Sequence, residues 1–359
     1  MIPVCAPVFS DFETINVISC LKSGWVANGD FVTTFENKWA AYCGRKHGIA
    51  VSNGTAALIA AVNALQLPPE SEILIPGFTI ISCALAAIYN NVKPVFVDVT
   101  EDTWTIDQHQ LADKITDRTK AIMPVHMYGH PANMGHILSI ANTFNLHIIE
   151  DAAQAHGATL NHLGSVHKCG SFGALSCFSF YTNKLITTGE GGMVLTDDDA
   201  LAERLRNIRN LCFGAGHDRF NHTGNGNNYR LTNLQASIGV AQMERLQDSL
   251  IAKARLRNEY ENRLRHLPLK WQGVRNGYIS SNWMIGIVLD HPARSLADHM
   301  RSKGIETRPF FSDLSAYYYN KPLPVASRLA THGLYLPSGV ALTDNEIAKT
   351  CEAVIEYFK

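Results

Sequence analysis

Between about residues 48 and 196 the chain repeats one pattern, a short β-rich run followed by a longer stretch with helical spacing. The runs are GIAVS, EILIP, PVFVDV, AIMPVH, HIIED, LSCFSF and GGMVLT. Strands separated by helix-length segments are joined by crossovers, which place parallel strands in one sheet with helices on both faces. The pattern therefore predicts an α/β fold on a largely parallel sheet. Ligands of such sheets bind beyond the carboxyl ends of the strands. Several runs end there in polar or charged residues: Asn53 after GIAVS, His126 after AIMPV and Asp151 after HIIE. These ends are expected to converge.

The remaining segments suggest a second, smaller unit. Residues 206–230, RNIRNLCFGAGHDRFNHTGNGNNYR, carry many Gly, Asn and His and no apolar period, so they read as a long loop serving as a lid or partner-contacting arm. Thr232 with Gln235 forms a capping-box signature ahead of the helix-spaced Leu234, Ile238, Ala241 and Leu246. The region from about 250 mixes helix (253–264), the strand-like WMIGIVLD and a closing helix. We expect a large unit over 1–245, N-terminal segment included, and a small C-terminal α/β unit over 246–359.

Composition narrows the function. Lysine and arginine number 31 against 32 aspartates and glutamates, so no basic field exists to hold a nucleic acid or an anionic membrane, and anionic ligands must be caught locally. The eight cysteines are scattered without a C-x-x-C pair, which points to reduced thiols in a cytoplasm and to no structural zinc. No apolar run approaches the roughly 20 residues of a spanning helix. No G-x-G-x-x-G joins a strand to a helix, which argues against a nicotinamide dehydrogenase.

Three segments carry chemistry. In SNGTAALIAAVNAL a strand ends in Ser52-Asn53-Gly54-Thr55 and runs directly into a helix, whose free N–H groups and dipole suit a phosphate, although such turns also occur without a ligand. HIIEDAAQAHGA delivers Asp151 to a strand end, where a buried carboxylate either pairs with a cation or caps the next helix; Gln154 and His156 follow within a turn. In SFGALSCFSFYTNKLITTGEGGMVLT a strand carries Ser179, then a turn brings a lone Lys184 before a glycine-rich run. Burial there would lower the lysine pKa and make it a nucleophile; a solvated loop lysine is the alternative.

Taken in order with SGWVANGDFVTTFE, PGFTIISCALAAIYNNVKPVFVDV, MPVHMYG, NNYRLTNLQASIGVAQMERL and ETRPFF, these segments resemble the DegT/DnrJ/EryC1/StrS sugar-nucleotide aminotransferases along nearly the whole chain. The resemblance implies an aspartate aminotransferase-like fold (PLP fold type I). Its implied cofactor is pyridoxal 5′-phosphate (PLP), cycling through pyridoxamine 5′-phosphate. It implies that Lys184 bonds the cofactor, Asp151 pairs with the ring nitrogen and Gln154 lies beside the ring. Gly54, Thr55, Ala56 and Ser179 would hold the phosphate, and Asn228 would reach the cofactor of a neighbouring subunit in a homodimer. Arg308 would lie near the nucleotide sugar, the second substrate after L-glutamate, with a surface ion pair as the alternative, and Trp25 would either lie near the sugar or fill an N-terminal packing contact.

Two departures accompany the resemblance. Where relatives stack an aromatic ring on the cofactor this chain has Ile80, and either Phe78, two residues earlier, substitutes or an aliphatic contact suffices. After RPFF many relatives carry a histidine, and here the run is SDLSAYYY. Lysine at 184 implies a transaminase, since related 3-dehydratases place histidine there. Within the family the segments look most like members that aminate C4 of GDP-4-keto-6-deoxy-D-mannose to give GDP-perosamine. Amination of a UDP- or dTDP-linked keto sugar, or a non-catalytic sugar-nucleotide-binding role, are the alternatives.

Overall fold

The computed structural model describes residues 1–214 and 216–359. Fourteen strands among them form three sheets. In chain order the first nine are β1 (His47–Val51), β2 (Glu72–Pro76), β3 (Lys93–Val97), β4 (Thr119–Ile122), β5 (His147–Asp151), β6 (Thr159–His162), β7 (Ser165–Lys168), β8 (Leu175–Ser179) and β9 (Gly192–Thr196). The others are β10 (Lys270–Trp271), β11 (Tyr278–Ile279), β12 (Ile285–Val288), β13 (Arg308–Pro309) and β14 (Gly333–Leu336).

The seven β-rich runs become the seven strands of the central sheet, ordered β1-β9-β8-β5-β4-β2-β3. Neighbours run parallel except at β9, which is antiparallel to both β8 and β1. Helices cover both faces, so β2 and β9 are buried along their whole length. The helix Gly54–Leu65 lies on this sheet through Ala56, Ala57, Ala60, Ala61 and Ala64, small side chains that let it sit close to β8 and β9. Registry fixes where strands end: Gly192 lies opposite both Val51 and Ser179, and Asp151 lies opposite Cys177. A Cβ on Gly192 would stand 2.4 Å from the Asn53 carbonyl oxygen, so only glycine permits the chain to pass there.

Beyond the sheet, the capping box forms as expected: Gln235 N–H donates to Thr232 Oγ1, and Thr232 donates to Gln235 Oε1. The helix it starts, Asn233–Met243, stops before Leu246, which opens a second helix, Leu246–Leu264. The expected boundary at 245/246 thus falls between two helices. The loop expected over 206–230 starts later, because the helix Asp199–Arg209 runs through its first residues; Ala215 within it lies outside the described residues.

The C-terminal sheet, β10-β12-β14-β13, has its own core of Tyr260, Leu264, Ile285, Ile287, Met300, Leu334 and Val354. The N-terminal segment departs from expectation by joining this sheet's surroundings. Ile2 N–H donates to Gly304 O (2.8 Å), Glu306 N–H to Ile2 O (2.9 Å) and Ser338 N–H to Val4 O (2.6 Å). Ile2 packs against this smaller core, while Cys5 already packs against the larger one. The C-terminal residues reach back in turn: β11 pairs with β6, and Trp283, Phe310 and Leu314 complete the larger core.

Candidate active site

At the carboxyl ends of β1, β5 and β8 the structure opens a cavity of about 630 Å³. Its walls include Asn53, Gly54, Thr55, Ala56, Asp151, Gln154, Ser179 and Lys184, so most of the residues singled out in the sequence meet in one place. One end is built to receive an anion. Asn53 caps the helix by accepting the Ala56 N–H (2.8 Å), which leaves the N–H groups of Gly54 and Thr55 without intrahelical acceptors. Thr55 and Ser82 hydroxyls lie 2.8 Å apart beside them, and Ser179 packs so close that a Cβ on Gly54 would come 2.7 Å from Ser179 Cβ. Donors of this kind at a positive helix end favour phosphate.

Asp151 lines the same cavity and is 1% exposed. Its Oδ1 accepts the Ala153 N–H (3.0 Å) of a turn, with no helix between β5 and β6 for it to cap, while Oδ2 accepts the Cys83 thiol (3.1 Å). Burial and the Asp151 charge together push the Cys83 thiol well up, so the thiol keeps its proton and donates. No lysine or arginine among the described residues forms an ion pair with Asp151. A buried carboxylate served only by neutral donors on a cavity wall suits a cationic ring nitrogen. Gln154 is buried beside it, its Oε1 accepting the Tyr128 N–H at 2.7 Å.

Lys184 lines the cavity too, on a tight turn closed by its own N–H to Tyr181 O (2.9 Å). Burial lowers its pKa to about 7, against the opposing pull of Asp151 and Cys5, so near neutrality a large share of it is free amine. Its Nζ lies 3.7 Å from the ring centroid of Trp283. Anion seat, buried carboxylate and near-neutral amine together fit a small phosphorylated ring that carries a cationic nitrogen and an electrophilic carbon.

Other expected residues fall elsewhere. Phe78 is fully buried and packs on Tyr128, Phe310 and Phe311, off the cavity wall, while Ile80 lines it. The alternation that would have put both on one face fails because the chain leaves the strand at Pro76. His156 is enclosed by Trp39, Phe178 and Phe180, and burial drops its pKa to about 3. His126 turns from the site to Glu150 (2.9 Å), and since its Nδ1 accepts the Ala132 N–H, its Nε2 carries the proton donated to that carboxylate. Trp25 and Asn228 are exposed and lie off the wall. Arg308 is exposed and paired with Glu306 (2.8 Å); its strand partner Tyr335 is on the wall. Sequence reasoning missed Trp283, Tyr229, Phe311, Tyr335 and Ser82, all lining residues. WMIGIVLD and RPFF contained Trp283 and Phe311 without indicating where they would fold.

Residues 9–355 match the description "DegT/DnrJ/EryC1/StrS aminotransferase family". The chain belongs to this family. Among its relatives is a GDP-perosamine synthase from Caulobacter vibrioides, 38% identical, with 98% of this chain and 97% of that one covered. Another, from Escherichia coli O157:H7, is 36% identical over 99% and 98% of the two chains. The solved structure of DesV from S. venezuelae superposes with a TM-score of 0.89 at 32% identity, covering 96% of this chain and 94% of that one. The aminotransferase therefore has the aspartate aminotransferase-like α/β architecture, and its family uses PLP. No helix among the described residues is long and apolar enough to cross a membrane.

Proposed function

We propose that this aminotransferase moves an amino group from L-glutamate to C4 of a nucleotide-linked 4-keto-6-deoxy sugar, GDP-4-keto-6-deoxy-D-mannose, to give GDP-perosamine. What carries the reading is that relatives named GDP-perosamine synthase match end to end while Lys184, Asp151 and the phosphate seat share one cavity. When bound, PLP supplies a conjugated ring that draws off the electron pair of a broken C–H bond. The Gly54 and Thr55 N–H groups with the Thr55 and Ser179 hydroxyls hold its phosphate. Asp151 would keep its ring nitrogen protonated, and Gln154 would flank the ring.

Lys184 is the residue that would bond the cofactor, and its free amine would carry the proton between the two carbons of the 1,3-shift. Its near-neutral pKa lets it accept and return that proton at pH 7. The same groups then serve the keto sugar in reverse, with Arg308 beside the nucleotide diphosphate.

Asn228 is off its own chain's cavity, as fits a residue that serves a neighbouring copy. The helix Asp11–Ser23 leaves Phe12, Ile15, Ile18 and Leu21 bare, a face that a second subunit would cover in a homodimer. The described cysteines are all unpaired, in keeping with a cytoplasmic enzyme.

The test is a spectral titration of the PLP-loaded protein. Glutamate should remove the visible absorption of the lysine-bound cofactor, and GDP-4-keto-6-deoxy-D-mannose should restore it; Lys184→Ala should never show it. Restoration only by a dTDP- or UDP-linked keto sugar would reassign the acceptor. No visible band in the wild type would refute the reading as a whole.

A further inference from the structure

The turn that presents Lys184 is gripped from a distant part of the chain. Trp283, 4% exposed, donates its indole N–H to Asn183 O (2.7 Å) and lays its ring face 3.7 Å from Lys184 Nζ. The indole is itself fixed on three sides. Its backbone N–H donates to Tyr128 O (3.0 Å), its ring stacks on Tyr128 at 6.1 Å and 23°, and its carbonyl accepts the buried Lys253 ammonium (2.7 Å). Two residues earlier, Ser281 donates to the Gln154 carbonyl (3.2 Å), so one short strap reaches both the lysine turn and the residue beside the cofactor seat.

An indole face carries the negative lobe of the ring quadrupole and attracts a cation but not a neutral amine. We propose that Trp283 is a positioning residue that seats the ammonium of Lys184 between its two proton transfers. The inference rests on the role given to Lys184 above. When the donor Cα–H bond breaks, the proton passes to Lys184 Nζ and the electron pair of that bond is left to the conjugated ring that the cofactor would supply. The ammonium so formed rests over the indole until it returns the proton at the other end of the shift, which restores the amine. Without the ring face, burial would leave the protonated state to Asp151 and Cys5 and let the side chain swing away from the substrate.

The other titratable groups facing Lys184 are Asp151 from β5, Cys5 from the N-terminal segment and His156. On the far side Lys184 also borders a cavity of about 300 Å³ whose walls include Cys5, Arg245, Asp248 and Lys253. None of these is altered by changing the indole ring.

The test reads protonation, not turnover. Lys184 in the full-length, cofactor-free chain is labelled with acetic anhydride across pH and quantified by mass spectrometry of its peptide, so the result is independent of whether PLP is the cofactor. A desolvated cation–π contact predicts that Trp283→Leu lowers the labelling midpoint by about 0.5 to 1.5 pH units, with Trp283→Phe between it and the wild type. Replacing the five tryptophans by mono-, di- and trifluorotryptophan keeps the packing and drains the ring face; of them only Trp283 lies over Lys184. The midpoint should fall with each added fluorine. A folded Trp283→Leu protein that titrates as wild type would overturn the proposal, as would a fluorine series with a constant midpoint. If Trp283→Leu does not fold, the fluorine series decides alone.

Discussion

Gly54→Ala probes the anion seat with a single methyl group. The added Cβ would lie 2.7 Å from Ser179 Cβ and 3.2 Å from Ser179 Oγ, whereas carbons in contact sit at about 3.5–4.0 Å. Either the start of the helix Gly54–Leu65 or the end of β8 must therefore yield by about 0.8 Å or more. Both are anchored: the helix is buried along its alanine face, and Ser179 is locked in register with Gly192. Overpacking of this kind costs about 1–3 kcal/mol. Because the displaced atoms are the proposed phosphate donors, the cost should fall largely on cofactor binding, at tenfold for each 1.4 kcal/mol, or about 5- to 150-fold in PLP affinity.

The assay is PLP titration of Gly54→Ala, Ser179→Gly and the double variant, with the melting temperature of each apo-protein alongside. Ser179→Gly removes the colliding atom together with one hydroxyl donor. The double variant should bind better than the sum of the single losses predicts, a positive coupling confined to neighbours in contact. A Gly54→Ala protein with wild-type PLP affinity and wild-type melting temperature would refute the geometry of the seat.

Asp151→Asn keeps shape and removes charge. Loss of a charge-assisted bond to the ring nitrogen should cut activity by about 10- to 150-fold. Since Asp151 favours charged Lys184, the lysine labelling midpoint should also fall in the cofactor-free chain; an unchanged midpoint would separate the two residues electrostatically. His156→Phe removes a ring whose two nitrogens have no partner among the described residues. Its folded pKa, about 3, lies below the unfolded value, so the wild type loses stability as pH falls from about 6.5 toward 3. The phenylalanine variant should be flatter over that window in urea unfolding followed against pH, and a parallel pair of curves would contradict it.

The parts of this site that rest on local chemistry were legible in the sequence. Polar residues ending apolar runs placed Asn53, Asp151 and Ser179 at strand ends, and the glycine-rich turn marked Lys184. Legibility failed where tertiary packing decides direction. His126 ends a run just as Asp151 does, yet the buried Glu150 carboxylate, held also by the Gly170 and Phe172 N–H groups, turns it away. Phe78 was misplaced because β2 ends at Pro76 and Phe78 then bridges to Asp313, where its ring is enclosed by Tyr128, Phe310 and Phe311. Trp283 comes from a distant part of the chain to reach Asn183, and no periodicity encodes such an approach. The first four residues read as part of the large unit because sequence proximity is blind to the backbone pairing of Ile2 with Ile305.

The reversed strand β9 has a further consequence. In a uniformly parallel sheet, the chain leaving β8 would have to travel back the length of a strand before entering the next one, about 17–20 Å away. Because β9 points the other way, the excursion 180–191 leaves and re-enters the sheet at a single rim, with Ser179 and Gly192 face to face at its base. The lysine is thus carried on a closed span tied down at both feet. Its reach into the cavity is set by the contour length of that span, so adding or deleting one residue there would shift Lys184 while leaving every strand in place.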